Sequence, residues 1–401
     1  VKGKGWSKRS DSFIGPNAQL REATQKIIEG ATTDDQKLHR IYAVVMALDN
    51  TNYTREHEKE EDKAAGLKKV SNAADVLANK RGSGSQINSL FIGMARAAGM
   101  KAYRMLVTDR ANNLFTPAWL SFQQLDSDVA IVLVDGKEMY FDPGARYCEY
   151  GQLTWGDTNT GGLRQSDSGT VFGNTPNPPY TSNFIGRAAN LHMDGHGLIS
   201  GGVVLSMTGV EALEWRRKGL TGDEESVRTG LRKYLEEMLP QTMEVKVVDV
   251  KNLASYDQPL TVDYSVNGTI GTPTGKRLIV PVDLFVARET AVFPSEKRTN
   301  GVYFHYARVE QDAVRIFLPE TLDVEAAPES VRLPLKDMGV YKLDVKSAPG
   351  TITVRRMYAF NTLYVPVPEY GDLREFFSKF ETMDQQSVVL KQAAVSAPTG
   401  Q

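Results

Sequence analysis

The chain has 401 residues, with 47 Lys+Arg against 49 Asp+Glu, 41% hydrophobic residues and a single cysteine. That length supplies two or three cores of ordinary domain size, and a net charge of -2 argues against a broad electrostatic footprint for nucleic acid or an anionic membrane surface. The longest strictly aliphatic run, Val129 to Val134, falls far short of the roughly 20 residues a membrane span needs, and a lone Cys148 forms neither an internal disulfide nor a Cys-based zinc site.

Residues 1–16 are polar and read as an N-terminal extension short of apolar anchors. A helix carrying Leu20, Ile27 and Ile28 is predicted from Asn17 to Ile28, with Gly30 as its stop. Thr33-Asp34-Asp35-Gln36 is a capping box, and Leu38, Ile41, Tyr42, Val45 and Met46 then repeat at helical spacing. The charged run Arg55 to Lys63 reads as a solvated segment, with a docking site as the alternative. Arg81-Gly82-Ser83-Gly84-Ser85 is a turn whose hydroxyls cap a buried helix, with Ile87, Leu90, Phe91, Met94 and Ala95 on one face and Gly99 at its end. Strands follow at Lys101 to Thr108, Val129 to Val134 and Met139 to Phe141, the last two joined by the hairpin signal Asp135-Gly136. Helices first and an antiparallel sheet afterwards make an α+β module.

Gly, Pro, Asn, Thr and Ser crowd the stretch from Gly156 to Asn183, which assigns 161–185 as a loop or linker. Short strands with turns then predict a β-sandwich-like domain over 186–325, carrying one helix from about Glu224 to Leu239. A C-terminal region, 326–401, holds a hairpin over Val340 to Phe360, a short helix Leu373 to Phe380 with core-facing Phe residues, and a polar tail. His192-Met193-Asp194-Gly195-His196 reads as a hairpin turn rather than a metal site. Cys148 reads as a small packed side chain, with a reactive thiol as the rival. Neither a cofactor nor a metal is expected.

The stretch Lys80 to Tyr103, in which Gly82-Ser83-Gly84 opens a buried helix and Ala97-Ala98-Gly99 closes it, resembles the core of the bacterial transglutaminase-like family, where a Gly-x-Cys turn opens that helix. Val129 to Pro143 is similar to the family's second half, where a His opens the first strand and an Asp ahead of Pro ends the second. The match runs from about Asn17 to Trp155. It implies a papain-like α+β transglutaminase-like domain over 17–160, followed by β-rich, sandwich-like domains. Thiol catalysis there needs a thiolate at a helix N-terminus, an imidazole beside it and a carboxylate to orient the imidazole. On the family pattern the nucleophile position falls on Gly84 and the histidine position on Asp128, or on Ser127 if the register slips by one; only Asp142 matches.

The resemblance therefore implies a degenerate site and no catalysis. Ser83, Ser85 and Ser89 flank the missing thiol, but none of His39, His57, His192, His196 or His305 lies at the family's histidine position. The old cleft, lined by Ser83, Ser85, Trp119, Phe122 and Trp155, is a candidate groove for a peptide or glycan. Val365 to Phe377 is similar to the terminal domain that follows this module in a group of large exported bacterial proteins, which usually carry a further β-domain ahead of it. These readings predict an inactive extracytoplasmic binding, scaffold or surface-assembly component, periplasmic or on the bacterial cell surface; the rival is an acyl transferase or peptidase with a displaced nucleophile. Because the chain opens on Val1, a longer precursor with an export signal is expected. The polar ends, Val1 to Asp11 and Ala393 to Gln401, point to burial in a homo-oligomer or surface assembly, or to a trimmed sequence.

Overall fold

The computed structural model describes residues 2–54, 59–119, 121–286 and 290–393; the start of the charged run, Arg55 to Glu58, and the tail beyond Ala393 lie outside the described residues. The chain forms two compact units, one of Val1–Pro178 with Arg216–Thr221 and Ala254–Asp257, the other of the remainder. Among the described residues no helix is long and apolar enough to cross a membrane.

The first unit opens with helices α1 (Lys2–Ile14), α2 (Ala18–Ile28), α3 (Asp34–Met46), α4 (Lys59–Ala64), α5 (Ala73–Asn79) and α6 (Gly84–Ala97). Side chains that accept from free N–H groups fix the starts of these helices: Asn17 caps α2, Thr33 caps α3, and Ser83 with Gln86 forms a full capping box on α6. Helix α6 is buried, its Ile87, Leu90, Phe91 and Met94 meeting Ala130, Val132 and Phe141 of the sheet in one core. Phe91 stands edge-on to Tyr42 at 5.7 Å and packs on Phe141 at 5.2 Å. Most of the expected N-terminal extension, 1–16, is instead helical: Lys2–Ile14 forms α1, which buries Trp6, Ser10 and Ile14. Gly93 lets α1 come close, because a Cβ there would lie 2.7 Å from the carbonyl oxygen of Ile14. Within Lys2 to Asp11, Trp6 and Ser10 are thus buried in the chain's own unit. Replacing the α6 cap, Ser83→Ala, is expected to lower stability by about 1 kcal/mol in a urea melt.

The sheet of this unit has five antiparallel strands in the order Lys137–Phe141, Ser127–Val134, Ala102–Val107, Gly161–Ser166, Gly169–Asn174. The last two overturn the assignment of 161–185 as a linker. Their glycines serve close packing: a Cβ at Gly161 would lie 2.1 Å from the Phe115 ring, and one at Gly162 2.0 Å from the carbonyl oxygen of Leu106. In composition such a stretch looks like a loop.

The second unit centres on an eight-stranded sheet in the order Met243–Lys251, Leu260–Thr269, Leu198–Met207, Phe184–Met193, Arg308–Phe317, Thr351–Phe360, Gly339–Ala348, Val331–Leu335. All pairs are antiparallel except Phe184–Met193 with Arg308–Phe317. A four-stranded sheet that includes Arg277–Pro281 and Ser387–Gln392 shares its core, as do α8 (Glu224–Met238) and α9 (Tyr370–Asp384). The sequence-based split at 325/326 runs through this one sheet, where Ile316 pairs with Ile352. A second helix, α7 (Gly209–Thr221), precedes α8 where only one was predicted; its Glu214-Trp215-Arg216-Arg217-Lys218 run hides the apolar period. His192-to-His196 is the expected hairpin turn, with Asp194 Oδ1 accepting from the N–H groups of His196 and Leu198.

Charged groups are buried in this unit as one network. Arg187 bonds Asp312 at 2.5 Å and Glu310 at 3.0 Å, while Arg356 bonds Asp384 at 2.8 Å and Asp312 at 3.3 Å. Tyr341 donates to Asp384 at 2.5 Å.

Candidate functional site

Gly84 is the first residue of α6 and is buried at its N-terminus, where the N–H groups face outward from the helix. Its own N–H donates to Asn52 Oδ1 at 3.3 Å. A Cβ at position 84 would lie 2.7 Å from the carbonyl oxygen of Gly144 and 2.9 Å from Asn52 Nδ2; the converse Cβ at Gly144 would lie 2.7 Å from the carbonyl oxygen of Gly84. The helix end has closed onto the loop after the strand Lys137–Phe141, so the place a nucleophile's side chain would take is occupied by backbone.

Asp128, second in the strand Ser127–Val134, is held by Arg104 Nε at 2.9 Å and by Asn88 Nδ2 at 2.6 Å. Asp142 directly follows the strand Lys137–Phe141, is buried, and accepts from the Ala145 N–H at 3.1 Å. Gly84, Asp128 and Asp142 line a single cavity of about 300 Å³, together with Ser85 and Ser127. Ser85 Oγ is bonded by Arg104 Nη2 at 2.5 Å. Ser83 does not line this cavity; its hydroxyl caps the helix.

The same cavity gathers residues that the sequence reading did not name: Asp109, Asp126, Asp157 and Arg217. Asp157 is buried, and its Oδ2 accepts from Ser127 Oγ at 2.9 Å and Thr154 Oγ1 at 3.1 Å, whereas its Oδ1 has no hydrogen-bond partner. Burial, then the nearby Asp142 carboxylate, pushes Asp157 up to about 8. Asp142 is pushed up to about 6, by burial against the opposing pull of Arg217 and with repulsion from Asp128 added. Asp109 and Asp126 sit closer to solvent, and Asp126 Oδ1 accepts from the Asp109 N–H at 2.8 Å. No sequence signal pointed to Asp157, which lies in the stretch read as loop, nor to Arg217, which lies on the unpredicted helix.

Residues 21–126 match the transglutaminase-like superfamily, and residues 276–390 match a family described as a domain of unknown function with solved structure, DUF3858. The first unit carries a transglutaminase-like domain. The whole chain is also similar to a solved structure from Parabacteroides distasonis described as a "putative protease", at 13% identity and a TM-score of 0.51, over 97% of this chain. The chain spans 58% of that protein's length, and the likeness is one of fold. No curated protein sequence matches the chain.

Within the transglutaminase-like domain the expected aromatic groove does not form as one feature. Trp119 and Phe122 line a second cavity of about 440 Å³ with Phe115, Leu163 and Phe172, while Trp155 lines neither cavity and lies under the Arg110 guanidinium at 5.7 Å. Trp119 is 51% exposed and Phe172 62%. Among the described residues no histidine lines the first cavity: His39 stacks on Tyr150 and His192 on Phe317, while His57 lies outside the described residues. Among the described residues no three His, Cys, Asp or Glu side chains are grouped to hold a metal ion. Cys148 is buried, and that burial pushes its thiol well above the usual range, which suits a packed side chain rather than a nucleophile.

Proposed function

We propose that this chain is a catalytically inactive transglutaminase-like protein that works by binding, outside the cytoplasm of a bacterium. The observation that carries the reading is the closure at position 84, where backbone atoms of Gly144 stand 2.7 Å from where any Cβ would be. Two further features support it: Asp128 is engaged by Arg104 and Asn88, and among the described residues no imidazole lines the cavity to activate a hydroxyl. The extracytoplasmic part is supported by the resemblance of the C-terminal region to exported bacterial proteins, and fractionation of native cells with recovery in the cytosol would remove it.

The protein is expected to turn over no glutamine-donor, peptide or ester substrate above a blank. Gly84→Cys, alone or with Asp128→His, is expected to stay inactive and to lose about 1–3 kcal/mol of stability, because the new side chain must displace backbone. Turnover that a serine or thiol reagent abolishes would overturn the reading.

One observation favours the rival reading of a displaced nucleophile, namely the Ser127 hydroxyl donating to Asp157 within the cavity. Against it, the same Asp157 oxygen also accepts from Thr154 Oγ1 at 3.1 Å, and no described histidine lines the cavity beside Ser127. Any turnover lost in Ser127→Ala would reinstate this alternative.

A further inference from the structure

Five aspartates, Asp109, Asp126, Asp128, Asp142 and Asp157, line the cavity at the start of α6, and one arginine, Arg217, shares it. Arg104 holds Asp128, and Arg217 acts on Asp142. Asp109, Asp126 and Asp157 add three more carboxyl groups to the wall, so carboxyl groups outnumber the one lining arginine five to one. The cluster alone would be only a solvated acidic patch. What points to a ligand is Asp157: a carboxyl 97% buried at the wall of an open cavity, with Oδ2 bonded twice and Oδ1 accepting nothing. A buried oxygen without a partner costs about 1–3 kcal/mol, and a donor entering the cavity would remove that cost.

We propose that the cavity binds an organic cation, the guanidinium or ammonium group of a basic peptide side chain, with Asp157 and Asp142 as the buried acceptors and Asp109 and Asp126 as the outer ones. A metal ion is the poorer match, since it needs several oxygens converging at about 2.0–2.6 Å and no such group exists among the described residues. A guanidinium or ammonium carries several N–H donors over a wider span and suits carboxylates spread around a wall. The volume of about 300 Å³ is at the lower end for ligand cavities, the size of a side chain rather than of an oligosaccharide. Exposed Ser85, Asn52 and Asp126 on the same wall keep the entrance on the surface, where a chain bearing the cation can lie. The raised affinity of Asp157 for its proton is the expected mark of an acceptor waiting without its cation.

The proposal rests on the reading of the cleft as a binding site, and calorimetric titration separates the two. The probes are acetyl-arginine methylamide, acetyl-lysine methylamide, the neutral acetyl-citrulline methylamide and spermidine, each titrated into the full chain at low salt. The arginyl or lysyl amide is expected to bind about tenfold or more tighter than the citrulline amide, a difference worth about 1.4 kcal/mol. Asp157→Asn and Asp126→Asn are each expected to weaken that binding about threefold to tenfold, with Asp167→Asn, on the far hairpin, as the unaffected control. Asp126 is exposed, so its variant keeps the test valid whatever Asp157→Asn does to the melting temperature. Equal binding of the citrulline amide, absence of binding at millimolar probe, or affinities unchanged in both variants would overturn the proposal while leaving the inactive reading intact. Spermidine binding tighter than either amide would overturn the assignment to a peptide side chain. Hydrolysis of a probe would instead overturn the inactive reading.

Discussion

Arg356→Met is expected to destabilise the second unit by about 3–5 kcal/mol, the cost typical of removing one partner from a buried ion pair. Arg356 is buried and donates to both oxygens of Asp384, from Nε at 2.9 and 3.0 Å and from Nη2 at 2.8 Å, and to Asp312 at 3.3 Å. Taking it away leaves the buried Asp384 with the Tyr341 hydroxyl and the buried Asp312 with Arg187, without the cation the two carboxylates share. The double variant Arg356→Met/Asp384→Leu removes charge and counter-charge together and is expected to recover most of the loss. By contrast, Arg277→Met breaks the surface pair with Glu325 and should shift the urea midpoint little, because water and salt already screen it. A midpoint for Arg356→Met as near to wild type as that of Arg277→Met would show that the network carries no stability.

The parts of the fold legible in the sequence were those written in local chemistry. Thr33 and Ser83 announced the starts of α3 and α6 because a capping side chain and the N–H it serves lie within three residues of each other. The period of Ile87, Leu90, Phe91 and Met94 announced a buried face, and Asp135-Gly136 a hairpin. What stayed hidden depends on partners distant in the chain. Gly161 and Gly162 look like loop residues until Phe115 and Leu106 are seen against them, and Ile316 and Ile352 carry no mark of pairing with each other. Trp6 and Ile14 are too few to signal a buried helix in a Gly- and Lys-rich stretch, yet α1 docks through them.

The candidate site divides along the same line. The spacing of Gly84, Asp128 and Asp142 on a buried helix and a hairpin let the resemblance bring them to one cavity, which is where they lie. Asp157 and Arg217 could not be foreseen, since one follows a turn in a supposed linker and the other sits on a helix without clear periodicity. Nor could the split of the aromatic groove, because Trp119 and Phe122 meet Phe115, Leu163 and Phe172 while Trp155 meets Arg110, most of them partners distant in the chain. Asp157 adds a buried carboxyl to this cavity and Arg217 its one lining guanidinium.

Stability is expected to be greatest near pH 4–5 and to fall steadily toward pH 8, the reverse of the usual acid-sensitive profile. Burial, with repulsion from Asp312 added, pushes Asp283 in the second unit up to about 8, and burial pushes Asp157 and Asp142 in the first to about 8 and about 6. An unfolded Asp titrates near 3.9, so the folded state holds these protons more tightly than the unfolded one. Their contribution is complete below about pH 4, is lost as pH rises through each folded value, and is flat above about 8, at roughly 1 kcal/mol per pH unit for each group while it lasts. Glu310 works in the opposite sense: burial alone would raise it, but Arg187 and Arg308 outweigh that and hold it at about 2, so its contribution is lost as pH falls from about 4 to about 2. Together these set a maximum between the two windows. Asp283→Asn fixes a neutral side chain whose carbonyl oxygen still accepts from the Phe285 N–H, the bond Asp283 Oδ1 accepts at 3.0 Å. It should flatten the fall between pH 5 and pH 8 in the second unit, leaving the variant more stable than wild type at pH 8, while Asp157→Asn does the same for the first. Urea denaturation read by hydrogen exchange, which reports each unit by its own amides, makes the comparison. A wild-type midpoint that climbs between pH 5 and pH 8, or a slope that Asp283→Asn leaves untouched, would mean that these carboxyls are not protonated in the folded protein.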